Sequence, residues 1–107
     1  MKKLSELQSS DFSPFLNQTF QVHAGLTEPV AAELIKVADR GWGMHDPETA
    51  KRRPFEIMFR FPAGIHVPQK IYPIEHENMG TLNIFIVPVG PEPTDPEHRI
   101  LYQGIFS

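Results

Sequence analysis

Cysteine is absent from the 107 residues. Disulfides, thiolate nucleophiles, zinc–thiolate sites and iron–sulfur clusters are excluded together. A chain without disulfides suits the cytoplasm, and a cytoplasmic location is the expectation. Long apolar runs are lacking too. The longest, ignoring one proline, is Ile84 to Val89, against the about 20 residues of a membrane helix. Met1-Lys2-Lys3-Leu4 opens like a signal peptide, but Ser5, Glu6, Gln8, Ser9, Ser10 and Asp11 stand where its apolar stretch belongs. No signal peptide, lipid anchor or membrane partner is expected. Basic charge is short: 10 Lys and Arg against 13 Asp and Glu give a net charge of −3, with a pI near 5.9. A phosphate-backbone binder carries a basic face, so nucleic acid is not an expected partner.

What is present is globular. Hydrophobic residues make up 40% and charged residues 21%, a composition that folds rather than stays disordered. Eight Phe, two Tyr and one Trp supply large apolar area. Residues 1–107 read as a single domain. Eleven prolines are about twice the usual ~5%. They are scattered, so they mark strand ends and turns rather than a linker.

Residues 4–17 read as a short helical start, with Ser10 as N-cap and Phe12, Phe15 and Leu16 on one face. Asn17 suits a left-handed stop. Residues 18–23 alternate, with Phe20 and Val22 on one side. Residues 27–41 allow two readings. Thr27-Glu28-Pro29 starts a helix well, and Val30, Leu34, Ile35, Val37 and Ala38 fit helical spacing. As a strand, Val30, Ala32 and Leu34 share a face, and a bulge is needed to bring Val37 back inward. Residues 39–53 form a long connection of the kind that is often functional.

Pro54 to Phe61 is a strand with Phe55, Ile57, Phe59 and Phe61 on one face. Lys70 to His76 is another, placed at an edge or bulge by Pro73. Glu77 to Gly80 is a turn with Gly80 at positive φ. In Thr81 to Val89, Leu82, Ile84 and Ile86 face one way while Phe85, Val87 and Val89 face the other. Such a strand is expected to be covered on both sides, by core, helix or a partner chain. Gly90 to Pro96 reads as a loop, and Ile100 to Phe106 as the last strand.

Five segments together resemble the DUF6916 family, small bacterial proteins known only as a domain of unknown function. They are Leu16–Phe20, Arg53–Phe59, Pro68–His76, Gly80–Val89 and Tyr102–Phe106. The resemblance implies that the stretch around Leu34 is a strand, overriding the local helix signal. It implies no catalytic residues, and it suggests a setting near phage-tail-like fibre proteins. Asn17 and Phe61 stand where the family pattern has glycine.

Catalytic signatures are sparse. His23, His45, His66, His76 and His98 occur without His-x-His, His-x-x-His or His-Glu-x-x-His spacing, so no metal site is expected. No Gly-x-Ser-x-Gly and no phosphate loop occurs. Asp46, Glu48, Glu92, Asp95 and Glu97 read as solubilising loop charge. Trp42, between two glycines, and Arg52 and Arg53 read either as binding hot spots or as a packed lid and a solvated basic run. The expected fold is mainly β: an antiparallel barrel or sandwich of about six strands with a short N-terminal helix. The expected function is a non-enzymatic binding or assembly module without a cofactor, having a protein partner or self-associating. The candidate binding residues are Trp42, Arg52, Arg53, Gln69 and His76. The alternative is a small-molecule-binding domain or minor enzyme with Arg60, Gln69, Tyr72 and His76 around a pocket.

Overall fold

The computed structural model describes residues 4–40 and 53–106. Six strands follow the N-terminal helical segment: β1 (Thr19–Val22), β2 (Val30–Asp39), β3 (Phe55–Arg60), β4 (Lys70–His76), β5 (Gly80–Pro91) and β6 (Ile100–Phe106). They close an antiparallel barrel in the order β1-β2-β3-β6-β5-β4. Consecutive strands pair by hairpins except β3 and β4, which stand on opposite sides of the ring. Residues 61–69 therefore cross one mouth of the barrel. No helix among the described residues is long and apolar enough to cross a membrane.

Strand alternation fills the interior. Phe20, Val22, Leu34, Ile57, Phe59, Ile74, Ile86 and Tyr102 are all buried. The strand reading of residues 30–38 holds, and β2 carries the bulge that its phase slip requires. Its register with β3 shifts between Leu34 and Lys36, leaving Val37 half-buried on the core side. Local helix propensity loses because the paired backbone and the buried face are worth more than a weak intrinsic preference.

The N-terminal segment is broken into short turns rather than one helix. Leu4–Glu6 and Ser13–Phe15 are 3₁₀ turns flanking α1 (Ser9–Phe12). The cap is Gln8, not Ser10; the Gln8 backbone N–H donates to Asp11 Oδ2 at 2.8 Å. Pro14 favours a new turn there rather than a continued α-helix. Leu16 is exposed, contrary to the expected apolar face. Phe12 plugs the second mouth. Its ring lies 5.8 Å from Phe55 and 5.5 Å from Phe106, which stack on each other at 4.6 Å. Asn17 and Gly80 take the expected positive φ.

The crossing segment plugs the first mouth. Phe61 and Val67 are buried, and the Tyr102 hydroxyl both donates to Val67 O at 2.8 Å and accepts from Val67 N at 2.7 Å. Pro73 sits in β4 without an exposed edge. Its carbonyl accepts from His23 N, so its missing N–H falls where the β1 ladder ends. That ladder, the closing seam of the ring, has only two pairs, Gln21–Glu75 and Val22–Ile74.

Candidate functional site

The outer surface of the barrel has two contrasting walls. On β2 and β3 the outward side chains are charged and paired. Arg60 meets Glu33 at 2.5 Å and Glu92 at 3.5 Å, and Glu56 meets Lys36 at 3.3 Å. On β4, β5 and β6 the outward side chains include a group of large apolar ones, with Glu75, Thr81, Asn83 and Gln103 as polar neighbours. Ile71 is 58% exposed, Phe85 49%, Val89 49% and Ile105 53%. Among the described residues no helix covers the outer face of β5, where Phe85 and Val89 stand half-exposed. Alternation alone cannot tell a covered face from an open one.

The register places these residues. Ile71 pairs directly with Phe85. Ile86 pairs with Gly104, so Phe85 lies beside Ile105 one step on. Val87 pairs with Gln103, and Lys70 pairs with Ile86, so Gln69 lies one step on beside Val87. β5 continues past a bulge between Pro88 and Gly90, as far as Pro91. Gly90 and Pro91 thus belong to the strand, not to the loop expected there.

Of the candidate binding residues, Trp42 and Arg52 lie outside the described residues. Arg53 is exposed before β3, at the α1 end of the barrel. Gln69 is exposed at the opposite end, beside the apolar wall. His76 is buried beneath the seam, not in an exposed turn. Its ring lies between Phe15 at 4.5 Å and Phe20 at 4.6 Å. Its Nδ1 accepts the Asn78 backbone N–H at 3.1 Å. The ring proton therefore sits on Nε2 and donates to Gln18 Oε1 at 2.8 Å. This side-chain bridge continues the seam where the ladder stops. A shallow groove of about 510 Å³ runs over it, between Gln18, Thr19 and Gln21 on one side and Glu75, His76 and Glu77 on the other.

The pocket grouping of Arg60, Gln69, Tyr72 and His76 is not assembled. Arg60 points outward into its ion pairs, and Tyr72 points inward and donates to Pro68 O at 2.6 Å. His76 lies at the other end of β4. Asp95, read as solubilising charge, is buried and structural. It accepts from Glu97 N, Arg99 N and two guanidinium nitrogens of Arg99 at 2.9–3.2 Å. The Arg99 guanidinium, with help from the backbone N–H groups, holds its carboxyl well below the usual carboxylate range.

Taken together, a plugged six-stranded barrel with one bare apolar wall defines a small β domain whose distinctive surface is a wall rather than a cleft. The chain belongs to the family described as Domain of unknown function (DUF6916), whose model matches residues 7–106. No curated protein and no solved structure matches it.

Proposed function

We propose that the chain is a non-enzymatic docking or assembly module that joins a protein partner, another copy included, through its β4–β5–β6 wall. One observation carries the reading: four large apolar side chains stand about half-exposed on the same wall, while the β2–β3 wall is covered with paired charge. Contiguous exposed apolar surface of this kind marks interaction sites. Both mouths of the barrel are filled by side chains, which favours an external contact over an enclosed ligand. A cytoplasmic setting suits the cysteine-free chain. A role in a bacterial phage-tail-like or surface-fibre assembly belongs to the same proposal and rests on the family resemblance.

The test is size exclusion of host extract, with the chain at native level, after amine crosslinking in the intact cells so that contacts of micromolar affinity are preserved. The wild type is expected above its 12.2 kDa monomer position. Phe85→Lys is expected at that position, and Lys36→Ala on the opposite wall is expected to behave as wild type. A monomeric wild type, or a complex that survives Phe85→Lys, refutes the reading.

A further inference from the structure

We propose that the occupant of the apolar wall is a second copy of the chain, docked about a two-fold axis that runs along β5. The proposal rests on the docking reading and adds the partner and its geometry. The wall reads the same from either side of β5. One row runs Ile71, Phe85, Ile105, and the next runs Gln69, Val87, Gln103. A two-fold axis lying between two faces carries each residue on the axis onto its own copy. It exchanges the residues on either side.

Phe85, Val87 and Val89 on β5 then meet their counterparts. Ile71 meets Ile105 of the other copy, and Gln69 meets Gln103. Apolar groups face apolar groups, and the Gln69 amide faces the Gln103 amide, whose Nε2 donates within its own chain to Glu56 and leaves its carbonyl oxygen for the contact; this is the self-complementarity an isologous contact needs. Neither row contains a charged residue. The two copies, each at −3, thus bring no like charges together within these rows, and no charge in them selects a differently charged partner.

The area is sufficient for a modest dimer. Ile71, Phe85, Val89 and Ile105, one aromatic and three aliphatic residues each about half-exposed, together present on the order of 400 Å². Two copies bury about 800 Å² of apolar surface, and at the roughly 65% apolar share of homodimer interfaces the total is about 1,200 Å². That is the lower bound of stable interfaces, so a dimer in the micromolar range is expected.

The test uses the purified full chain. Sedimentation velocity from about 5 µM to about 500 µM is expected to show a monomer–dimer equilibrium. Phe85→Lys should weaken it at least about 30-fold, with little change in a melting curve recorded below the dimer's dissociation constant, where both proteins are monomers, because Phe85 faces outward. The absence of native cysteine allows the axis to be read directly. Facing sheets lie about 10 Å apart, so a short thiol-reactive crosslinker should join Val87→Cys to itself. Ile71→Cys should join Ile105→Cys in a mixture but not itself. A wild type that stays monomeric, or crosslinking of Ile71→Cys alone in place of Val87→Cys, overturns the proposal. If the purified chain is monomeric while the complex in host extract still falls apart with Phe85→Lys, the docking reading stands and its partner is a different protein.

Discussion

Replacing Tyr102 by Phe removes one oxygen and two hydrogen bonds that hold residues 61–69 across the barrel mouth. The ring of Tyr102 is fully buried and packs 4.0 Å from Phe61, so Phe retains its packing. Val67 is buried too, and neither its N–H nor its C=O gains a new partner without moving the segment. An unpaired buried polar group costs about 1–3 kcal/mol. Two such groups, less the gain from the more apolar ring, give about 2–4 kcal/mol. This is a large share of the about 5–15 kcal/mol that stabilises a domain of this size.

The melting temperature should fall by about 10–25 °C. Urea unfolding should show a lower midpoint with an unchanged slope. The Val67 amide should lose its exchange protection first. Burial also pushes the Tyr102 hydroxyl above its ordinary value. Its folded value then exceeds the unfolded value of about 10, so its contribution is complete below that pH and declines as pH rises through the folded value. Tyr102→Phe should therefore lessen the alkaline loss of stability, leaving the share from Tyr72, which burial also raises. A stability change below about 0.5 kcal/mol, within the ordinary range for surface substitutions, would refute the strap.

Asp95 yields an acid counterpart. Its folded carboxyl is depressed by Arg99, so its stabilisation is present above about pH 4 and declines below it. Asp95→Asn should lower stability at neutral pH and flatten the acid limb of a pH–melting profile. Gly104 faces the core, where an added Cβ would lie 3.3 Å from both Ile57 Cγ1 and Ile84 Cγ2. Gly104→Val should therefore overpack the barrel by about 1–3 kcal/mol in a denaturant titration. Phe12→Ala removes the plug of the opposite mouth and should cost about 3–5 kcal/mol by the same measurement.

Much of the barrel was legible because its strands follow a period of two. Phe55, Ile57 and Phe59 report their own burial, and the phase slip after Leu34 reports its own bulge. The candidate site was less legible. Phe85 and Ile86 look equally apolar in sequence, yet one is half-exposed and the other buried. Only closure of the ring decides which face is inside. Asp95 resembles its loop neighbours Glu92 and Glu97 in sequence, because only the folded turn brings two backbone N–H groups and the Arg99 guanidinium onto its carboxylate. Arg60 and His76 were grouped as near neighbours, but the 61–69 crossing carries their strands to opposite sides of the ring.

The two-pair seam bears on how this molecule fails. While the ring is closed, each strand among the described residues has a neighbour on both sides, and contacts on the apolar wall end with the pairing of faces. Parting β1 from β4 changes the kind of growth available. The freed edge of β4 would carry the buried Ile74 into solvent beside the already exposed Ile71 and Pro73, next to an adhesive wall, and each added chain would present the same edge again. The Gln18–His76 bridge thus helps to keep shut an edge of the kind that templates strand addition.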